Sequence, residues 1–176
     1  YFSDHANQSM CLVGDKLITI QGVPLDFTEE EIPIDQNPEN DIQRGVWPNR
    51  LNGGTSRMRK NRLVAYHSIN GKLQWMRPAL EKKDGPFADS CFIGDPVPYG
   101  NLVLVPILEG TGMYLIALNP DSGYTQWKTF LGDEPESGIA PNSSVMVAIA
   151  GGEAYVATGT GLAFSLDAIS GSLNWV

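Results

Sequence analysis

Short apolar runs alternate with clusters of glycine, asparagine, aspartate and serine along most of the chain. Leu102–Leu108, Met113–Leu118, Glu153–Ala157 and Leu162–Leu166 are such runs. Each has strand length, is rich in aliphatic side chains and is bounded by turn formers, which predicts β-strands. Hairpin turns are expected at Gly14-Asp15, Glu109–Gly112, Gly151-Gly152 and Gly159–Gly161. The strands they join are Met10–Val13 with Lys16–Ile20, Asn101–Leu108 with Met113–Leu118, and Val145–Ile149, Glu153–Ala157 and Leu162–Leu166 in succession. Nineteen glycines and twelve prolines in 176 residues fit this picture of many turns and short elements.

Three segments repeat one pattern. They run Leu63–Trp75, Leu115–Trp127 and Ala163–Trp175. In each a small residue (Ala65, Ala117, Ser165) precedes a glycine by six positions (Gly71, Gly123, Gly171), and a tryptophan follows four later (Trp75, Trp127, Trp175). An apolar strand therefore enters a polar turn, His67–Gly71, Asn119–Gly123 or Asp167–Gly171, whose Asn, Asp and Ser side chains can bond nearby backbone. The glycine supplies a positive φ, and a second short strand carries the tryptophan. A large ring at a fixed register from a small residue suits a shallow spot on a neighbouring unit. Its burial removes roughly 200 Å² from water, about 5 kcal/mol gross at ~25 cal/mol per Å². Four-stranded antiparallel units recurring at about fifty residues are the signature of propeller blades.

The pattern Ala-x-(Asp/Asn)-x-x-(Ser/Thr)-Gly-x-x-x-Trp is similar to the tryptophan-docking motif of quinoprotein-like (PQQ-like) β-propellers. Ala117, Asn119, Ser122, Gly123 and Trp127 match it best; Ser165 replaces the alanine in the third copy, and His67 and Asn70 take the polar positions in the first. The expected fold is all-β, a partial propeller of about three four-stranded blades. Blade one spans 1–80 with an insertion at 22–60, blade two 81–132 and blade three 133–176. Three blades do not close a ring, so the chain is expected to be a segment, with its ring completed by further blades of the same polypeptide or by other subunits. The text around Asp89–Val105 resembles large bacterial cell-envelope propeller proteins, which implies a periplasmic or envelope setting and envelope proteins as partners.

Residues 22–60 interrupt the period. An acidic, proline-punctuated stretch is followed by the basic cluster Arg57-Met58-Arg59-Lys60-Asn61-Arg62. A loop this long is uncommon unless it is functional or disordered, which suggests a decoration of the rim or a docking element. Trp47, Arg57, Arg59 and Lys60 are its candidate interface residues, against local packing for Trp47 and a solvated strand entry for the basic cluster.

Charge and chemistry narrow the function. The formal charge is −8, and no basic stripe suits a nucleic acid. No apolar run reaches the ~18 residues of a membrane-spanning helix. The resemblance admits dehydrogenases in which a quinone and Ca²⁺ sit on the ring axis, often over a disulfide between adjacent cysteines, with an Asp as base. Cys11 and Cys91 are not adjacent, and no residue takes over a catalytic role from that family. Buried thiols are the simpler reading of the two cysteines, a disulfide the other. His67 reads as a turn residue, and Asp84, Asp89, Asp95 and Asp133–Glu136 lack the spacing of an EF-hand loop. No catalytic, cofactor or metal residue is expected. The expected role is a non-catalytic binding or scaffold module of the bacterial envelope. The alternatives are part of a quinone-dependent dehydrogenase, with PQQ and calcium as cofactors, and a structural subunit of a multi-chain surface assembly.

Overall fold

The computed structural model describes residues 9–22, 61–78, 87–88, 90–133, 145–159 and 161–176. All regular structure among them is β. Thirteen strands form three antiparallel sheets. Blade one contains β1 (Met10–Val13), β2 (Lys16–Gly22), β3 (Asn61–His67) and β4 (Leu73–Arg77), in that spatial order. Blade two contains β5 (Ser90–Phe92), β6 (Val97–Tyr99), β7 (Leu102–Glu109), β8 (Gly112–Leu118) and β9 (Thr125–Asp133). Blade three contains β10 (Met146–Ala150), β11 (Glu153–Ala157), β12 (Ala163–Asp167) and β13 (Leu173–Trp175), again in order. The chain is a partial β-propeller, and its candidate loop residues Trp47, Arg57, Arg59 and Lys60 lie outside the described residues.

Blade two departs from four strands because its first strand is broken. β5 pairs with Ile107–Glu109 and β6 with Leu102–Leu104, both on the same edge of β7. Pro106 sits opposite the gap. It has no N–H to donate, so a continuous ladder cannot pass it. Its carbonyl accepts from Ile93 N at 3.0 Å, and Gly94 and Pro96 carry the chain across the gap. A Cβ at Gly94 would overlap the Val145 carbonyl and the Pro106 ring, so glycine lets blade three approach at this point. β5 and β6 are too short to register as strands in the apolar pattern.

Burial explains why β7 is apolar on both faces. Leu102 through Leu108 are all buried, as expected for the central strand of a sheet covered on both sides. One face (Val103, Val105, Ile107, with Ile116 and Leu118 from β8) shares a core with Cys11, Ile18, Ile20, Leu63, Ala65 and Trp75 of blade one. Successive side chains in a strand alternate faces, which turns Leu104, Leu115 and Ala117 toward blade three. The third sheet buries Ala154, Val156, Phe164 and Leu166. The opposite positions of its strands, Met146, Ala148, Tyr155 and Ala157, are exposed.

Candidate functional site

The three repeated turns share one geometry. In each, the glycine N–H donates 2.8 Å to the carbonyl four residues back: Gly71 to His67, Gly123 to Asn119, Gly171 to Asp167. Their φ angles are 67°, 66° and 74°, in the left-handed region that favours glycine. The leading side chain closes the turn locally. Asn119 Oδ1 accepts from Asp121 N and Ser122 N, and Asp167 Oδ1 accepts from Ile169 N and Ser170 N. His67 Nδ1 does the same more weakly, accepting from Ile69 N at 3.3 Å. These backbone donors hold the Asp167 carboxyl below its usual pKa.

Each tryptophan stands directly opposite its small residue, in the pairs Ala65↔Trp75, Ala117↔Trp127 and Ser165↔Trp175. The ladder shifts register immediately after each pair. The Trp75 and Trp127 rings then cross to the next sheet. A Cβ on Gly123 would lie 2.7 Å from Trp75 Cε3, and one on Gly171 would lie 2.5 Å from Trp127 Cε3. Trp75 is 8% exposed and donates its indole N–H to the Pro120 carbonyl at 2.8 Å. Trp127 is half-buried, and its indole N–H meets no acceptor among the described residues. Trp175 is 49% exposed, and nothing lies within 4 Å of a Cβ built on Gly71.

The residue two after Trp75 and after Trp127 reinforces the crossing. Arg77 donates from Nε to the Gly123 carbonyl at 3.1 Å and from Nη2 to the Ser122 carbonyl at 2.7 Å. Its guanidinium also lies over the Tyr124 ring, 5.0 Å from the centroid. Thr129, at the same position in blade two, donates to the Gly171 carbonyl at 2.7 Å. Arg77 and Thr129 share no side-chain type, so the repeat did not expose them as equivalent. Asn61 adds a second tie between blades one and two. Its amide exchanges two hydrogen bonds with the backbone of Phe92, at 2.7 and 2.8 Å, and it is 6% exposed. Pairing both halves of that amide satisfies a buried polar group that would otherwise be costly.

Charges sit at the rim of the first joint. Lys16 Nζ is 2.6 Å from Asp121 and 2.7 Å from Asp15, and His67 Nε2 is 3.5 Å from Asp15. Asp121 and Asp15 together raise the lysine's pKa, and the lysine holds Asp15 below its usual value. In blade two Lys128 pairs with Glu109 at 2.7 Å and lowers the glutamate's pKa. Cys11 is a free, buried thiol whose pKa burial pushes up to about 11, and Cys91 is half-buried. Asp95 and Asp133 are both exposed. Among the described residues no three His, Cys, Asp or Glu side chains come together to hold a metal ion. No described helix is long and apolar enough to cross a membrane.

Over residues 42–176 the chain matches the family described as outer membrane protein assembly factor BamB, a family of PQQ-like repeats. Among solved structures it is similar to BamB from Moraxella catarrhalis, at 15% identity and a TM-score of 0.53, with 94% of this chain and 38% of that chain covered. A quinohemoprotein alcohol dehydrogenase, ADHIIG from Pseudomonas putida HK5, is similar at 15% identity and a TM-score of 0.45, with 65% and 23% covered. No curated protein sequence matches. At this identity the likeness to BamB is one of fold, and the chain spans about 38% of the BamB chain. The match over 42–176 takes in most of the chain and all three tryptophan turns: the chain belongs to the PQQ-like family described as outer membrane protein assembly factor BamB.

Proposed function

We propose that this chain is a segment of a non-catalytic propeller that binds proteins as a scaffold in the bacterial cell envelope, on the periplasmic side. The observation that carries the reading is family membership across residues 42–176, in a family described by an outer membrane assembly role. The joints give that role a physical basis. Two tryptophan contacts, a buried asparagine and an arginine clamp hold three sheets in fixed relation. A rigid frame of this kind presents loops and strand edges at constant spacing, which suits recognition of partner proteins. In this reading Trp75, Trp127 and Trp175 are docking residues, with Ala65, Ala117, Ser165, Gly71, Gly123 and Gly171 as the surfaces that receive or flank them. The ring is completed by further blades of the same polypeptide or of partner subunits.

The test is site-specific photo-cross-linking in the bacterium from Tyr124 and Phe130, which are 63% and 51% exposed. Cross-links to envelope or outer-membrane proteins are expected. Dye-linked alcohol oxidation by the full-length protein, appearing on addition of PQQ and Ca²⁺, is the result that would overturn the reading.

A further inference from the structure

The two internal joints share the tryptophan and the turn, but they are tied unequally. Three residues of blade one bond to blade two, and the repeat assigns each a counterpart on blade two. Four residues before Ala65 stands Asn61, whose amide bonds Phe92 twice; four before Ala117 stands Met113, which has no amide side chain. Two after Trp75 stands Arg77, with two hydrogen bonds to the receiving turn; two after Trp127 stands Thr129, with one, to the Gly171 carbonyl. Lys16, opposite His67 in the ladder, reaches Asp121 at 2.6 Å. Its place in blade two, one step beyond the Val103↔Leu118 pair, falls to Leu102, which carries no charge.

The tryptophans differ in the same direction. Trp75 donates its indole N–H to the carbonyl of Pro120, the second residue of the receiving turn. The second residue of the next turn is Ala168, yet the Trp127 indole nitrogen is buried and meets no acceptor. A buried donor without an acceptor is costly while the joint is closed. Water satisfies that donor once the joint opens, whereas opening the first joint breaks a bond already made. Near Gly94, blade three is held by backbone alone: Val145 N donates to the Ile93 carbonyl at 3.3 Å. An open trough of about 540 Å³ runs alongside β10, lined from blade two by Gly94, Asp95 and Val97 and from blade three by Val147, Val156 and Phe164. Solvent therefore reaches between the two sheets at this end.

We infer that the seam between blades two and three is a built-in opening point: blade three parts from blade two as an intact sheet while blades one and two stay joined. Blade three keeps its own ladders and its Asp167–Gly171 turn bonds when it moves, so the cost of opening lies in the seam alone. The first joint resists because Ile18, Leu63, Val105 and Ile116 share one core across it. Units with the fewest ties open at the lowest free energy. The closed state still dominates, because Leu104, Leu115 and Ala117 are fully buried on the face toward blade three. The frame thus keeps its spacing, and the open form is a minor state that transiently bares this apolar face. None of this depends on which partner the propeller binds.

The test compares two neighbours on β8. Leu115 and Ile116 are both fully buried, but Leu115 pairs with Thr129 on the face toward blade three, and Ile116 belongs to the core shared with blade one. Leu115→Cys and Ile116→Cys remove similar volumes. Each is made in the full-length protein with Cys11 and Cys91 in place, and labelling by a thiol reagent is followed site by site by mass spectrometry. Unfolding of blade two labels both sites alike, whereas opening of the seam labels the first alone. Leu115→Cys should label roughly tenfold faster or more. Thr129→Val, which cuts the Gly171 tie, should speed it a further fivefold or so and leave Ile116→Cys unchanged. Equal rates at the two sites, or faster labelling at Ile116→Cys, overturn the inference, as does Thr129→Val speeding both sites or neither. If either cysteine variant fails to fold, Leu104→Cys and Val105→Cys make the same comparison on β7, with the same outcomes deciding it.

Discussion

Replacing Gly123 by alanine, with Gly71→Ala as its internal control, isolates the tryptophan crossing from the turn that receives it. The two glycines have nearly the same φ, 66° and 67°, and the same 2.8 Å hydrogen bond to the residue four back. Either substitution therefore carries the same backbone cost, about 1–2 kcal/mol for a side chain held in the left-handed region. Their surroundings differ. The new methyl at Gly71 meets nothing within 4 Å, whereas at Gly123 it lies 2.7, 2.8 and 3.1 Å from three atoms of the Trp75 ring. Carbon atoms in contact normally rest about 3.5–4.0 Å apart, so the ring has to retreat by nearly an ångström. The Nε1 bond to Pro120 and the Arg77 clamp oppose that retreat. Overpacking of this sort costs typically 1–3 kcal/mol. Gly71→Ala is expected to destabilise by about 1–2 kcal/mol from the backbone alone, and Gly123→Ala by about 2–5 kcal/mol once overpacking is added. Urea unfolding followed by far-UV circular dichroism measures both. A gap below about 0.5 kcal/mol, within the scatter of surface substitutions, would mean that Trp75 does not press on the turn and that the crossing adds no stability.

Other outcomes follow from the same geometry. The three tryptophans should differ in cost: Trp75→Ala about 3–5 kcal/mol, as for a buried aromatic, Trp127→Ala less, and Trp175→Ala least, in the same urea assay. Equal losses would contradict the order of burial. Trp75→Phe should cost about 1–2 kcal/mol, because it leaves the buried Pro120 carbonyl without its donor, and Trp127→Phe less; the reverse order would count against the Pro120 bond. Glu109 and Asp15 have depressed pKa values, so their contribution is present above the ordinary carboxylate range and lost as pH falls through the depressed values. Glu109→Gln should therefore flatten the acid limb of urea midpoint against pH, and an unchanged limb would show that the Lys128 pair adds nothing. In a Cys91→Ser background, the Cys11 thiol, pushed up to about 11, should resist a thiol reagent at pH 8 until the protein is unfolded; fast labelling of the native protein would contradict its burial.

The turns and the opposed tryptophans could be read from the sequence because both are local. A left-handed glycine, an Asn or Asp that bonds its own backbone, and a tryptophan four residues on all lie within one hairpin, and the repeat displays them three times. Arg77, Asn61 and Lys16 were not legible for the opposite reason. Arg77 reaches Ser122 and Gly123, 45 and 46 residues away, and Asn61 reaches Phe92 across 31. Their partners are mostly backbone atoms, which leave no mark on residue type. Thr129 was hidden further, because the role at its position is defined by a carbonyl that either a guanidinium or a hydroxyl can satisfy. The broken inner strand of blade two escaped notice because Ile93-Gly94-Asp95-Pro96 reads as a loop, and it is one. The strand pieces on either side are only three residues long.

The joints thus combine two layers of contact with different informational content. Tryptophan on glycine, and a donor to the glycine carbonyl, use atoms that every turn of this type offers. Adhesion of that kind would let any blade follow any other. Order along the ring must come from positions that vary, and among the described residues the clearest is the Lys16–Asp121 pair, 2.6 Å apart across the first joint. Asp121 keeps 75% of its side-chain exposure in that pair and Lys16 also pairs with Asp15, so this is a surface ion pair of small net worth. Exchanging Lys16 and Asp121 should therefore recover only part of what either single reversal loses, because the exchange also sets an aspartate beside Asp15, which pairs with Lys16 at 2.7 Å. If each single reversal proves as stable as the exchange, the rim charges contribute solubility alone, and the order of the blades is held only by the connectivity of the chain.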